Sequence, residues 1–395
     1  MTTTVQHGAD PSMAAAAAKR RIVAVVYFLL FLGPGIALPY LPRYLEHVGF
    51  SGWEIGIAIG VQPILRWGSA LVFAQIADRW RIRHPLLLVY AGLGALCFVP
   101  FLWVRDFVPM LLVLSAISVL HGPLISAIDA CVLDHLPDLG GDYGRLRLWG
   151  SISFILGALL GALGVELGSP SLVPAMLLPS HAVLPLALAG MPRPQSEHAL
   201  IRGAPWRLLT PSLTAFLTVV LLVHMSCGAW GGFFALHTER LGMGDWVPGA
   251  AFALAVVFEV AIFHWGRLVV EHVRAERLVV LVIAVTVARW IATAVTRDVA
   301  LLIALQVGHT FTFSALHLAA IHLVPRLVPP QRSTSGQALY GITGFGLGGS
   351  IGIALAGAVI EPLGTTGLFF FEAALAAAAL PSALRLARLT GRPAS

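Results

Sequence analysis

The positive charges of this chain are confined almost entirely to alternate gaps between its apolar segments. Nineteen of its 25 Lys and Arg residues lie in every second gap or in the two tails: Lys19, Arg20, Arg21, Arg79, Arg81, Arg83, Arg145, Arg147, Arg193, Arg202, Arg207, Arg267, Arg274, Arg277, Arg326, Arg332, Arg385, Arg388 and Arg392. In membrane proteins, Lys and Arg collect in the loops that stay in the cytoplasm. The alternation therefore predicts a multi-pass protein of the cell inner (cytoplasmic) membrane with both termini in the cytoplasm.

The composition agrees with a membrane location. Hydrophobic residues make up 58% of the chain, charged residues make up 11%, and the mean hydropathy is +0.86, which excludes an ordinary soluble domain. The net charge of +6 is explained by loops that face anionic lipid, so we expect a lipid bilayer and no nucleic acid as partner. The three cysteines lie in apolar runs, and their spacing predicts neither a disulfide framework nor a metal site. No cofactor is expected.

About twelve segments are long enough to cross the roughly 30 Å hydrocarbon core as helices. They lie at 22–42, 53–77, 84–104, 107–132, 146–167, 170–190, 210–237, 247–270, 277–296, 299–324, 335–360 and 364–388. The fold class is therefore an all-α polytopic membrane protein. Because the loops are short, we expect no soluble catalytic domain and no enzyme.

The chain divides near its midpoint. The Pro- and Arg-rich stretch 191–209 is interpreted as a cytoplasmic linker between six-helix halves at 22–190 and 210–388, with cytoplasmic tails at 1–21 and 389–395. In the first span, Gly and Pro residues predict a break of the helix that favours close packing and rocking: Gly33, Pro34, Gly35, Pro39 and Pro42.

The two halves repeat each other. Residues 148–157 of the fifth span match 339–348 of the eleventh at an offset of 191, with Leu, Gly, Phe, Leu and Gly in common. A second match, at an offset of 193, aligns Glu46, Gly49, Trp53 and Gly56 with Glu239, Gly242, Trp246 and Gly249. Two matches at nearly equal offsets predict pseudo-symmetric six-helix repeats about an axis along the membrane normal, which is the major facilitator architecture.

The loop after the second span resembles the loop signature of the major facilitator superfamily, in which an acidic residue precedes a run of arginines. The matching residues are Asp78, Arg79, Arg81 and Arg83. The resemblance implies that Asp78 and its neighbouring arginines latch the cytoplasmic side in the outward-open state. The alternative is that these arginines only anchor the topology.

Longer stretches resemble the phenylpropionate permease branch of that superfamily, relatives of the lactose and nucleoside proton symporters. They are residues 62–66, 143–151, 258–260, 288–290, 309–313 with His317, and 337–341. Together they are distributed over nearly the full chain, and the 143–151 element is the most specific. The resemblance implies a transporter and says less about its substrate.

Three ionisable residues lie near mid-bilayer in the C-terminal half: Glu259, Arg289 and His309 fall about ten to twelve residues into spans eight, nine and ten. A charge buried in hydrocarbon is costly, so each is a functional candidate. The resemblance to lactose-type symporters implies proton coupling, with movement of Arg289 relative to Glu259 switching proton affinity and His309 relaying the proton. The alternative is a static ion pair between helices.

A further carboxylate, Asp129, lies near the cytoplasmic end of span four, close to where Arg145 and Arg147 enter span five. We expect a gate ion pair there, with proton coupling as the second interpretation of Asp129.

In the N-terminal half, Arg66 lies at mid-depth of the second span, one helical turn from Gln62. Such an arginine is suited to anchor a substrate carboxylate by bidentate pairing, and the alternative is a protein carboxylate as its partner. Six aromatic residues at the same depth could stack on an aromatic substrate, although Trp and Phe are also ordinary packing residues in membranes: Trp67, Trp149, Trp230, Trp290, Phe311 and Phe313. Of these, Trp149, Trp230 and Phe313 are the preferred substrate-binding candidates.

These residues predict a proton symporter that imports a small organic solute by alternating access. Arg66 together with the resemblance to the phenylpropionate permease branch makes an aromatic or other small monocarboxylate the preferred substrate. A monomer is sufficient for this mechanism. Symport of a sugar or nucleoside and proton-coupled efflux stay as alternatives. Exporters of the superfamily tend to carry a Gly-Pro element inside span five, and this chain has Gly157, Gly161 and Gly164 there without an internal Pro.

Overall fold

The computed structural model describes residues 11–140, 142–193 and 208–391. The first six spans are the helices Pro11–His47, Gly52–Trp80, Arg83–Phe101, Phe107–Asp134, Tyr143–Leu167 and Val173–Ala189. The next four are Pro211–Arg240, Trp246–His272, Ala275–Val295 and Val299–Leu327. The last two are 333–363 and 365–390, which meet at Gly364. Of the predicted linker and tails, residues 194–207, 1–10 and 392–395 lie outside the described residues.

Ten helices of the described chain are long and apolar enough to cross a membrane. One of them, Pro330–Thr390, bends at Gly364, whose φ of 65° lies in the left-handed region that glycine adopts without strain, and so makes two crossings. The eighth span adds the shorter apolar stretch Trp246–Ile262. This makes twelve crossings, and the predicted all-α polytopic membrane fold is confirmed.

An even number of crossings puts both described chain ends on one side of the bundle. We call this side the terminal face; it also carries the described parts of the connections between spans, at 81–82, 135–140, 190–193, 208–210, 273–274 and 328–332. The opposite side, here the distal face, carries the connections 48–51, 102–106, 168–172, 241–245 and 296–298. Spans one to six form the N-terminal half and spans seven to twelve the C-terminal half.

The hydrophobic core is shared between the halves at one face only. Toward the distal face, a single cluster of buried residues includes Tyr40 of the N-terminal half and Phe252 of the C-terminal half. Toward the terminal face there are two separate clusters, one around Leu124 and one around Leu323, and each belongs to a single half. The halves therefore pack on each other at the distal face and part toward the terminal face.

The first span does not break, so the break predicted there is wrong. It is one helix from Pro11 to His47 that contains Pro34, Pro39 and Pro42. Gly33 lies against the ring of His181, and Gly35 lies against the backbone of Phe154. This close packing on spans six and five supports the helix through its prolines.

The seventh span, which the sequence predicts to be continuous, is the one that breaks. Its two helices are Pro211–Met225 and Gly228–Arg240, joined through Ser226 and Cys227. At the break, the backbone of Gly228 lies so close to Gly352 of the eleventh span that a Cβ added to Gly228 would be 2.3 Å from the carbonyl carbon of Gly352. Only glycine fits this contact.

Spans ten and eleven each contain a π-helical segment at mid-length. The segments are Phe311–Ala315 and Ile342–Gly348. In span ten the π-helix follows a 3₁₀ turn, Leu305–Gly308. Such departures from α-helical geometry occur frequently at functional sites.

Candidate functional site

The three ionisable residues predicted for proton coupling lie together in the C-terminal half. Nε2 of His309 lies 3.1 Å from Oε1 of Glu259, and the two side chains are 15% and 16% exposed. On the other edge of the imidazole, Nδ1 lies 3.4 Å from Nη1 of Arg289. His309 therefore connects Glu259 of span eight to Arg289 of span nine.

Arg289 is held by neutral groups. Its Nε and Nη2 both donate to Oε1 of Gln306, at 3.1 and 2.6 Å. Its guanidinium carbon lies 4.8 Å from the centre of the Trp230 ring and 4.1 Å from that of Trp290, which are cation–π distances. Among the described residues, no carboxylate oxygen lies within 4 Å of this side chain. Arg289 is 3% exposed, so an amide and two indole rings take the place of water around its guanidinium.

The hydrogen bonds of His309 define the role of each ring nitrogen. Arg289 can only donate, so Nδ1 of His309 accepts, and Nε2 then carries the hydrogen that points to Glu259. The imidazole in this arrangement is neutral. A second proton on the ring would convert Nδ1 into a donor, and the bond from Arg289 would be lost. The protonation state of the cluster is thereby linked to the position of Arg289.

Aromatic rings extend from this cluster to the N-terminal half. The centre of the Trp230 ring lies 5.5 Å from that of His309, and the ring of Phe313 stacks on His309 with a distance of 5.9 Å between the ring centres. Phe313 is followed by Phe345 at 5.5 Å, and Phe345 stacks in parallel on Trp67 of the second span at 6.3 Å. The predicted aromatic residues Trp67, Trp230 and Phe313 thus belong to this row of rings, whereas Phe345 was not predicted.

The predicted anchor Arg66 precedes Trp67 in the second span. Its Nη2 donates to Oε1 of Gln62 at 3.1 Å, and Nε2 of Gln62 donates to the carbonyl of Ala58 at 3.2 Å. Gln62 is buried and Arg66 is exposed. Within the described ranges, no carboxylate lies within 4 Å of the Arg66 guanidinium. Gln62 therefore orients a guanidinium that retains most of its capacity to bind an anion.

Trp149 does not join these residues. It lies in the second turn of the fifth span, near the terminal face, and is 45% exposed. The sequence predicted that Trp149 lies at the depth of a substrate cavity. Span five begins at Tyr143, however, so Trp149 lies only about 9 Å along the helix axis from the start of the span.

Asp129 also lies apart from the Glu259 cluster. Its Oδ1 accepts a hydrogen bond of 2.6 Å from the hydroxyl of Tyr27. The guanidinium of Arg147 lies over the rings of Phe31 and Tyr27, at 4.0 and 5.5 Å. The predicted ion pair of Asp129 with Arg145 or Arg147 is not formed in this structure.

Two other gate candidates at the terminal face, Asp78 and Arg145, have partners within their own half. Asp78 forms an ion pair with Arg83, and Nε of Arg145 lies 2.8 Å from Oδ2 of Asp142. Two further candidates are exposed on this face: Arg79 and Arg81. Among the contacts of the described residues, none of these ion pairs joins the two halves.

At the distal face, ion pairs do join the halves, and the sequence did not predict them. Arg43 of span one contacts the carboxylate of Glu239, and its Nη2 lies 3.2 Å from Oδ1 of Asp245. In the reverse direction, Nη2 of Arg240 lies 3.5 Å from Oε1 of Glu46. Glu46 and Glu239 are equivalent residues of the internal repeat. That repeat was the signal from which this contact could have been found.

Backbone groups add to the closure of the distal face. The Tyr40 hydroxyl donates to the carbonyl of Asp245 at 2.8 Å and accepts from the amide of Gly249 at 3.0 Å. Between spans two and eleven, the amide of Gly52 donates to Glu361 at 3.1 Å. Hydrogen bonds and ion pairs thus hold the distal ends of both halves together.

The family of the chain follows from a comparison with protein-family models. The model described as "MFS_1 like family" matches residues 21–371, which is most of the chain. The chain belongs to the MFS_1 like family. The match includes Glu259, Arg289 and His309 as well as Arg66, so the whole candidate site lies inside the family domain.

Curated relatives of this MFS_1 like protein are transporters. It is 28% identical over 372 residues to the "Probable 3-phenylpropionic acid transporter" of Escherichia coli (strain K12), covering 91% of this chain and 96% of the relative. It is 26% identical to the maltose permease of Geobacillus stearothermophilus, covering 90% and 92% of the two chains.

Solved structures show the same fold. The crystal structure of the nucleoside transporter NupG matches with a TM-score of 0.83 at 17% identity, covering 95% of this chain and 99% of that one. A bacterial homologue of the human lysosomal transporter Spinster, in an inward-facing and occupied conformation, matches with a TM-score of 0.73 at 12% identity, covering 98% and 100%. Family and relatives together identify a multi-pass membrane transporter of small solutes and not an enzyme.

Proposed function

We propose that this MFS_1 like protein imports a small organic anion, preferably an aromatic or other small monocarboxylate, by symport with protons. The observation that carries the proposal is the pairing of two sites in one bundle. One is the Glu259–His309–Arg289 cluster, and the other is Arg66, a cation without a carboxylate partner among the described residues. The aromatic row between them suits an aromatic substrate.

Coupling follows from the charge of the cluster. With a neutral His309 and an ionised Glu259, the charge of Arg289 is cancelled and the cluster is neutral. One added proton makes it positive, and a unit charge about 10 Å from a bound anion at an effective dielectric constant of about 20 contributes about 1.7 kcal/mol. Proton and anion therefore favour each other's binding, and this effect is reciprocal.

Transport also needs the two faces to open in turn. In the described conformation, the halves are joined at the distal face by Arg43, Glu46, Glu239 and Arg240. With both termini in the cytoplasm of an inner-membrane protein, this is the inward-open state. In the opposite state the distal pairs separate, and Asp78 with the arginines of the terminal face forms the latch. Asp129 can then exchange its Tyr27 partner for a cation.

A second candidate substrate class is an uncharged sugar or nucleoside. It is favoured by the similarity to the maltose permease, which is nearly equal to that of the phenylpropionic acid relative. The nucleoside transporter NupG also has the same fold. In that case Gln62 and Gln306 would serve as hydroxyl-binding amides, and Arg66 would not be essential.

Ligand-induced stabilisation of the purified protein tests the substrate class. A ligand that binds only the folded protein at about 100 times its Kd raises the free energy of unfolding by about 2.7 kcal/mol. We expect 3-phenylpropionate to raise the Tm, its amide analogue 3-phenylpropionamide to raise it much less, and maltose and uridine to leave it unchanged. Stabilisation by maltose or uridine alone would replace the carboxylate proposal with the second candidate.

A further inference from the structure

The break in the seventh span leaves backbone amides without intrahelical partners. The helix Gly228–Arg240 begins after Cys227, whose side chain makes no capping hydrogen bond. The first amides of a helix need acceptors from elsewhere, and a missing cap costs about 1 kcal/mol. The amide of Ala229, in the first turn, finds its acceptor on another helix. Oε1 of Glu372 accepts this hydrogen bond at 2.8 Å.

Glu372 is unusual among the acidic residues of the described chain. It lies in the twelfth span, is 0% exposed, and has no cation within 4 Å among the described residues. Its second oxygen, Oε2, has no hydrogen-bond partner. A carboxyl group in apolar surroundings is costly, so this residue type calls for a reason other than packing.

The residue after the capped amide is Trp230. Its ring lies over the guanidinium of Arg289 and beside His309, and it stacks on Phe252 at 4.1 Å. The orientation of the first turn after the break therefore decides where the Trp230 ring lies. A turn without a cap would allow the ring to move away from Arg289.

A second contact holds the same break. Nε1 of Trp290 lies 3.4 Å from Oγ of Ser226, and Trp290 is the other ring on Arg289. Span nine thus holds the break on one side and span twelve, through Glu372, on the other. In the N-terminal half, His181 of span six lies against Gly33 of the unbroken first span and bonds to its own helix. The broken seventh span thus has its second helix capped by a residue of another span, Glu372, whereas the His181 bond stays within span six.

We propose that Glu372 is a positioning residue of the proton-coupling site, which caps the second helix of the seventh span and thereby holds Trp230 on Arg289 and His309. The proposal rests on the proposed function only where transport is concerned. The cap itself is a property of the fold. Its consequence for function is exerted through Trp230, without contact between Glu372 and the substrate.

The cap is tested by hydrogen–deuterium exchange of the full-length protein in lipid nanodiscs. Glu372→Gln keeps an acceptor oxygen at the same place, whereas Glu372→Met has nearly the same volume and no strong acceptor. We expect amides of 228–232 to exchange about fivefold to tenfold faster in the Met variant, as the loss of about 1 kcal/mol of capping implies, and at the wild-type rate in the Gln variant. Equal exchange in wild type and Met variant would overturn the cap, and so would fast exchange in a folded Gln variant.

The positioning role is tested by a double-mutant cycle for transport of the best substrate. We expect Glu372→Met to reduce transport in the wild-type background and to have little further effect in a Trp230→Ala background, with Glu372→Gln close to wild type in both. Additive effects of the two substitutions would overturn the positioning role. If the wild type transports no compound tested, the proposed function fails while the exchange result stands on its own. If the Met variant does not fold, loss of transport in the folded Gln variant would contradict the proposal, and retained transport would support it.

Discussion

Arg43 of the first span forms an ion pair with Glu239 of the seventh, across the two halves of the bundle. The reverse pair, Arg240 with Glu46, lies beside it. Glu46 and Glu239 are equivalent in the internal repeat. Each of these carboxylates therefore pairs with an arginine of the opposite half. Pairs of this kind can separate together when the distal face opens.

Arg43→Gln should therefore shift the protein toward the state with an open distal face. Partly exposed ion pairs contribute up to about 1 kcal/mol each, so we expect a change of about fivefold to tenfold in the ratio of the two states. The measurement is the distance distribution between spin labels at 167 and 363, two exposed positions at the distal ends of opposite halves, in a protein without its native cysteines. Arg297→Gln is the control, because the hydrogen bonds of Arg297 among the described residues go to two carbonyls at the end of span nine, those of Ala294 and Thr296. An unchanged distribution in the Arg43 variant would remove these pairs from the gate.

Glu259→Gln should abolish proton-driven accumulation and leave counterflow exchange intact. The amide can still accept from His309, so the geometry is preserved, but the cluster loses the group that completes its charge balance. Both activities are measured in proteoliposomes with the same labelled substrate. Asp298→Asn is a matched control, because Asn keeps the N-cap that Asp298 provides to span ten. Uphill uptake that survives in the Glu259 variant would make this residue structural.

Arg66→Gln should weaken binding of carboxylates about tenfold to hundredfold, the effect of losing a charge-assisted hydrogen bond of about 1.5–3 kcal/mol. Affinity for the matching primary amide should change little. Binding of the acid and of its amide to the purified variant separates the two effects. Arg385→Gln, which replaces an exposed arginine at the end of span twelve, is the control for net charge. Equal losses for acid and amide would show that Arg66 acts through the fold and not as an anchor.

Gly228→Ala should destabilise the protein by about 1–3 kcal/mol, because the added methyl group meets the Gly352 backbone at the break of the seventh span. Gly68→Ala is the control. A Cβ at position 68 has no atom within 4 Å, and alanine is the better helix former, so this variant should be neutral or slightly stabilised. Thermal unfolding in one detergent compares the two. A stable Gly228→Ala variant would show that spans seven and eleven can separate without cost.

The charge pattern and hydropathy predicted the twelve crossings, because arginine placement and helix length are direct responses to the bilayer. The grouping of Glu259, Arg289 and His309 was also predictable, since their depths could be counted along three neighbouring spans. The break in the seventh span was not, because no proline marks it and its cause is the contact of Gly228 with Gly352. Conversely, the three prolines of the first span suggested a break that packing against His181 and Phe154 prevents.

The partners of individual charged residues were the hardest to predict. Hydropathy predicts that Arg289 and Glu259 lie at the same depth in the membrane. In the structure, however, the Arg289 side chain is hydrogen-bonded to Gln306, and the Glu259 side chain contacts His309. The same applies to Asp129, whose partner is a tyrosine of the first span and not an arginine of the fifth. Sequence spacing fixes depth in the membrane, whereas pairing depends on helix rotation, which only the packed bundle determines.

The most direct test of proton symport uses proteoliposomes that contain a pH-sensitive dye. Phenylpropionate, maltose and uridine are added outside in turn, and protein-free liposomes correct for passive entry of the undissociated acid. The account predicts internal acidification beyond this correction with phenylpropionate only, and its loss in the Glu259→Gln protein. Protein-dependent uptake of labelled phenylpropionate without any acidification beyond the control would contradict proton coupling, and acidification by maltose or uridine alone would contradict the anionic substrate.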